Sequence, residues 1–160
     1  MFETLVELLQ TQGARFRVLE HPAEGRSDLV ARIRGTEPGQ GAKAMLCKSR
    51  DAADAQLYLA VLPGDRKLDF KRLAQAVGVR KATLATPEQA QAATGCVMGA
   101  VPPFSLTPAI RLVVDPDLVE RFGEIAFNAG RLDRSIVLDS ADYVRIARPA
   151  LHRLSGEGLD

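Results

Sequence analysis

The sequence predicts an α+β domain, a mixed, curved β-sheet flanked by helices. Three observations carry that prediction. Stretches with helical spacing and stretches with strand alternation are interleaved without a regular βαβ rhythm. The run from Ala109 to Val114 is β-branched and nearly all apolar, as in a strand buried on both faces. The chain has 160 residues, 46% of them hydrophobic, which is enough for one domain with a sizeable core. The domain is expected over 1–150. Residues 151–160 read as a tail, frayed from Leu154 onward.

Each element has its own local reason. Phe2, Leu5, Val6 and Leu9 recur at helical spacing, and Gly13 stops that helix. Phe16 and Val18 alternate with Arg15 and Arg17 in a strand running to His21-Pro22. Ser27 is placed to cap a short helix through Leu29, Val30 and Ile33 that ends at Gly35. Ala42 to Cys47 and Leu57 to Leu62 read as strands joined by a polar loop, Ser49 to Gln56, and Pro63-Gly64-Asp65 is a turn. Phe70, Leu73, Ala74 and Val77 mark a helix closed by Gly78. In Thr86-Pro87-Glu88-Gln89 the threonine caps, the proline suits the first turn, and the glutamine completes a capping box. Asp115-Pro116 breaks the apolar run before a short helical turn. Ile125 to Asn128 and Ser135 to Leu138 are strands flanking a turn or bulge at Ala129-Gly130. Asp139 or Ser140 caps a last helix broken at Pro149.

Composition excludes several function classes. A net charge of +1 argues against a sequence-independent grip on long nucleic acid, though not against contact with an RNA end. Cys47 and Cys96 lack metal-ligand spacing, and neither His21 nor His152 completes a zinc pattern; two free thiols in a cytosolic protein are expected. There is no long uncharged apolar run and nothing like a signal peptide. Lys67, Lys71 and Arg72, with Arg80 and Lys81 beyond, make a basic helix face that either meets RNA phosphates or is simply solvated.

Two features carry chemistry. The first is Thr94 to Phe104, TGCVMGAVPPF. Gly99 through Pro103 is a Gly-x-x-x-Pro loop in which glycine permits close approach to a ligand and the prolines pin the backbone. Such a loop aims amide N–H groups at an oxygen, or is an ordinary turn. The second is the strand from Ala42, where Lys43, Met45 and Cys47 share one face and Ala42, Ala44 and Leu46 the other. A lysine in line with Met and Cys either finds a polar partner or snorkels to water. Nucleophile elbow, Walker loop, dinucleotide fingerprint and zinc-protease motif are all missing, and no Ser–His–Asp set assembles. A hydrolase on this chain would position a water and stabilise an oxyanion with backbone amides, on a substrate as reactive as an aminoacyl ester.

Four segments resemble the YbaK/EbsC family of aminoacyl-tRNA deacylases, which includes the editing domain of bacterial prolyl-tRNA synthetases. They are Leu19-Glu20-His21-Pro22; Ala42-Lys43-Ala44-Met45-Leu46; Leu68 to Lys71 leading to Thr94–Phe104; and Asn128-Ala129-Gly130 before Ser135 to Leu138. Order and spacing match over roughly 15–150. The resemblance implies a YbaK-like editing fold and a free-standing, cytoplasmic enzyme that hydrolyses mischarged tRNA in trans, without metal or organic cofactor. It implies Lys43, Gly99 and Ala100 as catalytic, the lysine orienting the 3′-terminal adenosine. Leu19, His21, Met45, Val101, Pro103, Phe104, Asn128 and Ser135 would bind substrate. The implied partners are the tRNA 3′ end and an aminoacyl-tRNA synthetase, with a monomer as default. Leu19 stands where the similar cysteinyl-tRNA deacylases carry an aromatic residue, and Ser135 where they carry an acid. Both departures point away from Cys-tRNA(Pro). Leu19, Met45, Met98 and Phe104 would instead form an apolar pocket for a small uncharged amino acid, with tRNA(Pro) the candidate carrier. The alternatives are a non-catalytic module binding a nucleotide, aminoacyl group or synthetase, and a hydrolase of other activated amino-acid esters.

Overall fold

In a computed structural model that describes residues 1–50 and 56–156, the chain runs α1 (Phe2–Thr11), β1 (Phe16–Glu20), α2 (Ser27–Arg34), β2 (Ala42–Ser49), β3 (Leu57–Pro63), α3 (Phe70–Val77), β4 (Ala82–Leu84), α4 (Pro87–Thr94), β5 (Ile110–Val114), α5 (Pro116–Arg121), β6 (Glu124–Arg131), β7 (Arg134–Asp139), α6 (Ser140–Ala147) and β8 (Ala150–Leu151). The loop expected over Ser49 to Gln56 falls mostly on residues outside those described.

The strands divide between two sheets, not one. An antiparallel sheet has the order β1-β7-β6, and a mixed sheet the order β4-β2-β3-β5-β8. Within the mixed sheet, β5 runs parallel to both β3 and β8. A single parallel bridge, Gly41 to Ala126, links the start of β2 to β6. The α+β class with a mixed sheet therefore holds. The partition in two was not legible, because alternation marks a strand without naming its partner.

The main core contains Ala42 and Leu46 of β2, Leu59 and Val61 of β3, Ile110 and Val114 of β5, and Phe127, Ile136 and Leu138 of β6 and β7. Leu5 and Leu9 of α1 are fully buried in it, each worth ~1.5–3 kcal/mol relative to exposure. A second cluster holds Cys47, Tyr58, Ala60, Leu73, Val113 and Leu154, with Met45 packed against it. Period-two alternation along β2 thus sorts its side chains as expected, Ala42, Ala44 and Leu46 to one cluster and Met45 and Cys47 to the other.

Four capping predictions are met, and one is not. Thr86 Oγ1 accepts from the Gln89 amide at 3.1 Å while Gln89 Oε1 accepts from the Thr86 amide at 2.9 Å. Asp139 accepts from the Asp142 amide, and Gly35 and Gly78 close their helices at φ 74° and 79°. Ser27, however, is the first residue of α2 and not its cap, which frees its side chain for another use.

The expected tail is corrected. Its start lies inside β8, and Leu154 and Ser155 are buried, at 0% and 2% exposure. Asp115 Oδ2 accepts from the amides of Leu154 and Ser155 at 2.9 and 3.0 Å and from Ser155 Oγ at 3.0 Å. The Asp69 amide donates to the Leu154 carbonyl. A polar, glycine-containing end looks frayed in isolation; a buried carboxylate holds Leu154 and Ser155, and the rest of the expected tail, residues 157–160, lies outside those described.

Candidate active site

Helix α2, strand β2 and the Gly99 loop converge on one cavity of about 70 Å³. Ser27, Val30 and Arg34 lie at i, i+3 and i+7 on one face of α2, and all three line it. Lys43, with Ala42 and Ala44, lines it from β2, and Gly99 and Val101 from the loop. The lysine strand and the glycine loop therefore face one cleft. Lys43 Nζ donates to the Arg66 carbonyl, which holds the ammonium in place.

Gly99 requires its glycine twice over. Its φ is +86°, and a Cβ there would lie 2.9 Å from Gly25 Cα and 3.1 Å from Gly25 O. The loop ahead of α2 and the Gly99 loop thus touch main chain to main chain. Asn128 clamps them: its Nδ2 donates to the Glu24 carbonyl at 2.8 Å and to the Gly99 carbonyl at 2.9 Å. Two carbonyl partners leave the amide only one orientation. Its Oδ1 accepts from Arg34 Nη2 at 3.0 Å and Ser135 Oγ at 3.1 Å, so the amide's hydrogen-bonding capacity is full. Asn128 is positioned by the bulge in β6, where the register shifts between Asn128 and Arg131 and Gly130 adopts φ +83°. The Gly130 amide donates to the Ala100 carbonyl at 2.9 Å and ties the bulge to the loop.

Behind this clamp Arg34 Nε donates to Ser135 Oγ at 2.7 Å, and His21 Nε2 lies 2.7 Å from the same oxygen. His21 Nδ1 faces the Pro22 carbonyl at 2.8 Å and must donate to it. Partial burial pulls the Arg34 pKa down to about 10, so it remains a cation at neutral pH.

Of the residues expected at the site, Lys43, Gly99, Val101 and Asn128 line the cavity. Ser135 and His21 form the network that supports Asn128. Met45 lies in an adjoining apolar pocket of about 110 Å³, with Leu84, Ala85, Ala90 and Met98, which shares Ala44, Gly99 and Val101 with the cavity as a common wall. The remaining expectations meet a different outcome. Ala100 is fully buried, and its N–H donates to the Val97 carbonyl, so that amide is already engaged. Pro103 is buried and its carbonyl accepts from Tyr143 Oη at 2.6 Å. Phe104 packs edge-on against Phe127 and Tyr143 in the core. Leu19 is paired opposite Ser135 along β1 and β7 and is absent from the lining of either pocket. The expected four-residue apolar pocket is therefore reduced to Met45 and Met98, joined by Leu84, Ala85 and Ala90.

Sequence reasoning missed Arg34, Ser27 and Gly25. The signal for Arg34 was available: it stands four residues after the buried Val30, a cation on the inward face of a helix. Nothing local marked Gly25, whose role depends on a loop far along the chain.

The arrangement can do chemistry without a side-chain nucleophile. Among the described residues, Ser27 has the only hydroxyl in the cavity lining, and no His, Asp or Glu lines it to take the Ser27 proton. Among the described residues, no protein acceptor takes the N–H of Gly99 or of Val101, which leaves two backbone donors beside Lys43. Likewise, no group of three or more His, Cys, Asp or Glu side chains stands ready to hold a metal among the described residues.

Known proteins resemble this chain in sequence and in fold. The family model for the aminoacyl-tRNA editing domain matches residues 21–146. The chain is 50% identical to the multifunctional Ser/Thr-tRNA deacylase ProXp-y of Escherichia coli over 93% of its own length and 89% of that protein's. It is 31% identical to the prolyl-tRNA editing protein ProX of Acetoanaerobium sticklandii, over 62% of each chain. Its fold superposes with a TM-score of 0.81 on the crystal structure of a candidate trans-editing enzyme for prolyl tRNA synthetase, at 25% identity and 96% coverage of both chains. The chain belongs to the aminoacyl-tRNA editing domain family.

Proposed function

We propose that the cleft between Lys43 and Gly99 is where this editing enzyme hydrolyses the ester of tRNA carrying a small, uncharged amino acid, seryl and threonyl esters foremost. One observation carries the reading: Lys43 and Gly99, far apart in the chain, line the same cavity, and its wall continues into an apolar pocket of amino-acid size. The nucleotide end of the substrate occupies the polar cavity and the amino-acid side chain the Met45–Met98 pocket. The ester lies at their common wall. Lys43 orients the terminal ribose, the N–H groups of Gly99 and Val101 receive the carbonyl oxygen as it gains charge, and water adds to the carbon. The ester C–O bond breaks, releasing the amino acid's carboxylate and the ribose hydroxyl.

An apolar pocket discriminates poorly against a hydroxyl or a single methylene. Alanyl, seryl and threonyl esters should therefore all be accepted, to within about a hundredfold of one another. The Escherichia coli relative, a multifunctional Ser/Thr-tRNA deacylase, supports this breadth. The cytoplasm is the setting this reading implies, and no helix among the described residues is long and apolar enough to cross a membrane.

The test is a panel of tRNAs charged with Ser, Thr, Ala and Cys. Loss of ester above the spontaneous rate is expected, with Lys43→Ala reducing it ~10²-fold or more while leaving the urea midpoint near wild type. A folded Lys43→Ala variant with full activity would defeat the assignment. Binding of aminoacyl-adenosine analogues without any turnover would instead support a non-catalytic module.

A further inference from the structure

Arg34 is unusual among the chain's cations. It is half-buried, it lines the cavity that also holds Lys43 and Gly99, and its partners are a hydroxyl and an amide carbonyl, both neutral. Among the described residues, no carboxylate lines that cavity. The carboxylate nearest in sequence to the cavity's Gly25, that of Glu24, is engaged with the Gly25 and Arg26 amides. By contrast Arg15, Arg66, Arg121 and Arg131 each stand within 4.0 Å of an aspartate. A guanidinium has five N–H donors in a fixed fork, and the two bonds to Ser135 and Asn128 leave donors on Nη1 and Nη2. A charge taken partly out of water without a counterion is costly, and an anion entering the cavity offsets that cost.

The position of Arg34 selects the kind of anion. Gly25, Gly41 and Gly99 line the same cavity, so no Cβ stands there between main chain and ligand. The volume, about 70 Å³, suits the phosphate end of a nucleotide. A zwitterionic amino acid would bring its ammonium toward a guanidinium and is disfavoured. A phosphate carries net negative charge and matches the guanidinium fork in two-point geometry.

We infer that Arg34 is the receptor for a phosphate group in this cavity, the last phosphodiester of the RNA whose 3′ end the cleft admits. This deepens the proposed reading of the cleft and rests on it for the source of the phosphate. Arg34 then has two jobs. Through Asn128 it braces the Gly99 loop, and through its remaining N–H groups it fixes the nucleotide, so that the ester meets the Gly99 and Val101 amides. A purely structural Arg34 would do only the first.

The experiment follows binding without turnover. Inorganic phosphate and adenosine 5′-monophosphate are titrated separately into full-length protein labelled with ¹⁵N. The amides of Gly25, Gly41 and Gly99 and the Arg34 side-chain N–H signals are followed. Saturable shifts in all of them are expected, with the nucleotide binding at least tenfold tighter than free phosphate and serine moving none. Arg34→Gln should weaken nucleotide binding at least tenfold, and Ser135→Ala, which keeps the charge, less than threefold. On mischarged tRNA, Arg34→Gln should raise KM more than it lowers kcat, which loop disorder alone would not do.

Phosphate shifts that bypass the Arg34 side chain would overturn the inference. So would serine binding as well as phosphate, or nucleotide binding no tighter than free phosphate. Because the Arg34 signals are read in the unmutated protein, a variant that fails to fold does not blunt the test. Binding by a protein that deacylates nothing would sink the proposed function and leave the phosphate site standing; deacylation without binding would do the reverse.

Discussion

Two glycines that are both in the left-handed region separate strain from crowding. Gly95 and Gly99 have φ of +74° and +86°, so alanine at either position enters the left-handed region, at a cost of ~1–2 kcal/mol. At Gly95 the new Cβ meets nothing within 4 Å. At Gly99 it would sit 2.9 Å from Gly25 Cα and 3.1 Å from Gly25 O, and both are main chain. Neither loop can simply slide away, because Asn128 holds the Glu24 and Gly99 carbonyls with one amide nitrogen. Overpacking of this kind adds ~1–3 kcal/mol, so Gly99→Ala should cost ~2–5 kcal/mol in all. With a urea slope of ~2 kcal/mol/M, Gly99→Ala should lower the midpoint by ~1–2.5 M and Gly95→Ala by ~0.5–1 M. If the loops part to relieve the clash, some stability returns, but the cleft opens and hydrolysis of Ser-tRNA falls instead. Gly95→Ala should keep near-normal hydrolysis. Equal midpoints and equal rates for the two variants would refute the claim that loop contact at Gly25 shapes the site.

Two further outcomes follow from buried carboxylates. Asp115→Asn keeps the shape but loses the charge that accepts from Leu154 and Ser155, and should cost ~2–3 kcal/mol in urea denaturation. A midpoint unchanged from wild type would mean that the C-terminal segment does not depend on Asp115. Asp142 is held at a pKa of about 2, first by the Arg15 side chain, whose Nε lies 3.0 Å from Oδ2, and then by the Arg15 amide. Its folded pKa lies below the ordinary carboxylate value of roughly 3.9, so its contribution to stability is present above about pH 4 and is lost as pH falls toward 2. Melting temperatures measured from pH 5 to pH 2 should fall less steeply for Asp142→Asn than for wild type; parallel curves would exclude this pair as a source of acid sensitivity.

The features that could be read along the chain lie within the reach of a few residues. Backbone geometry imposes a period of two on β2, so the shared face of Met45 and Cys47 could be read directly, and the Thr86–Gln89 capping box and the glycine stops are local chemistry. The pairing of the lysine strand with the Gly99 loop was legible only as a resemblance. Tertiary structure decided the rest: which strands share a sheet, that Ala100, Pro103 and Phe104 back the site instead of lining it, and that Asp115 recruits Leu154 into the core. It also decided that Arg34 turns to Asn128 and Ser135 and not to an acid. Periodicity says which side chains leave the backbone together; the long-range packing that chooses what they meet leaves no trace in the spacing of the residues themselves.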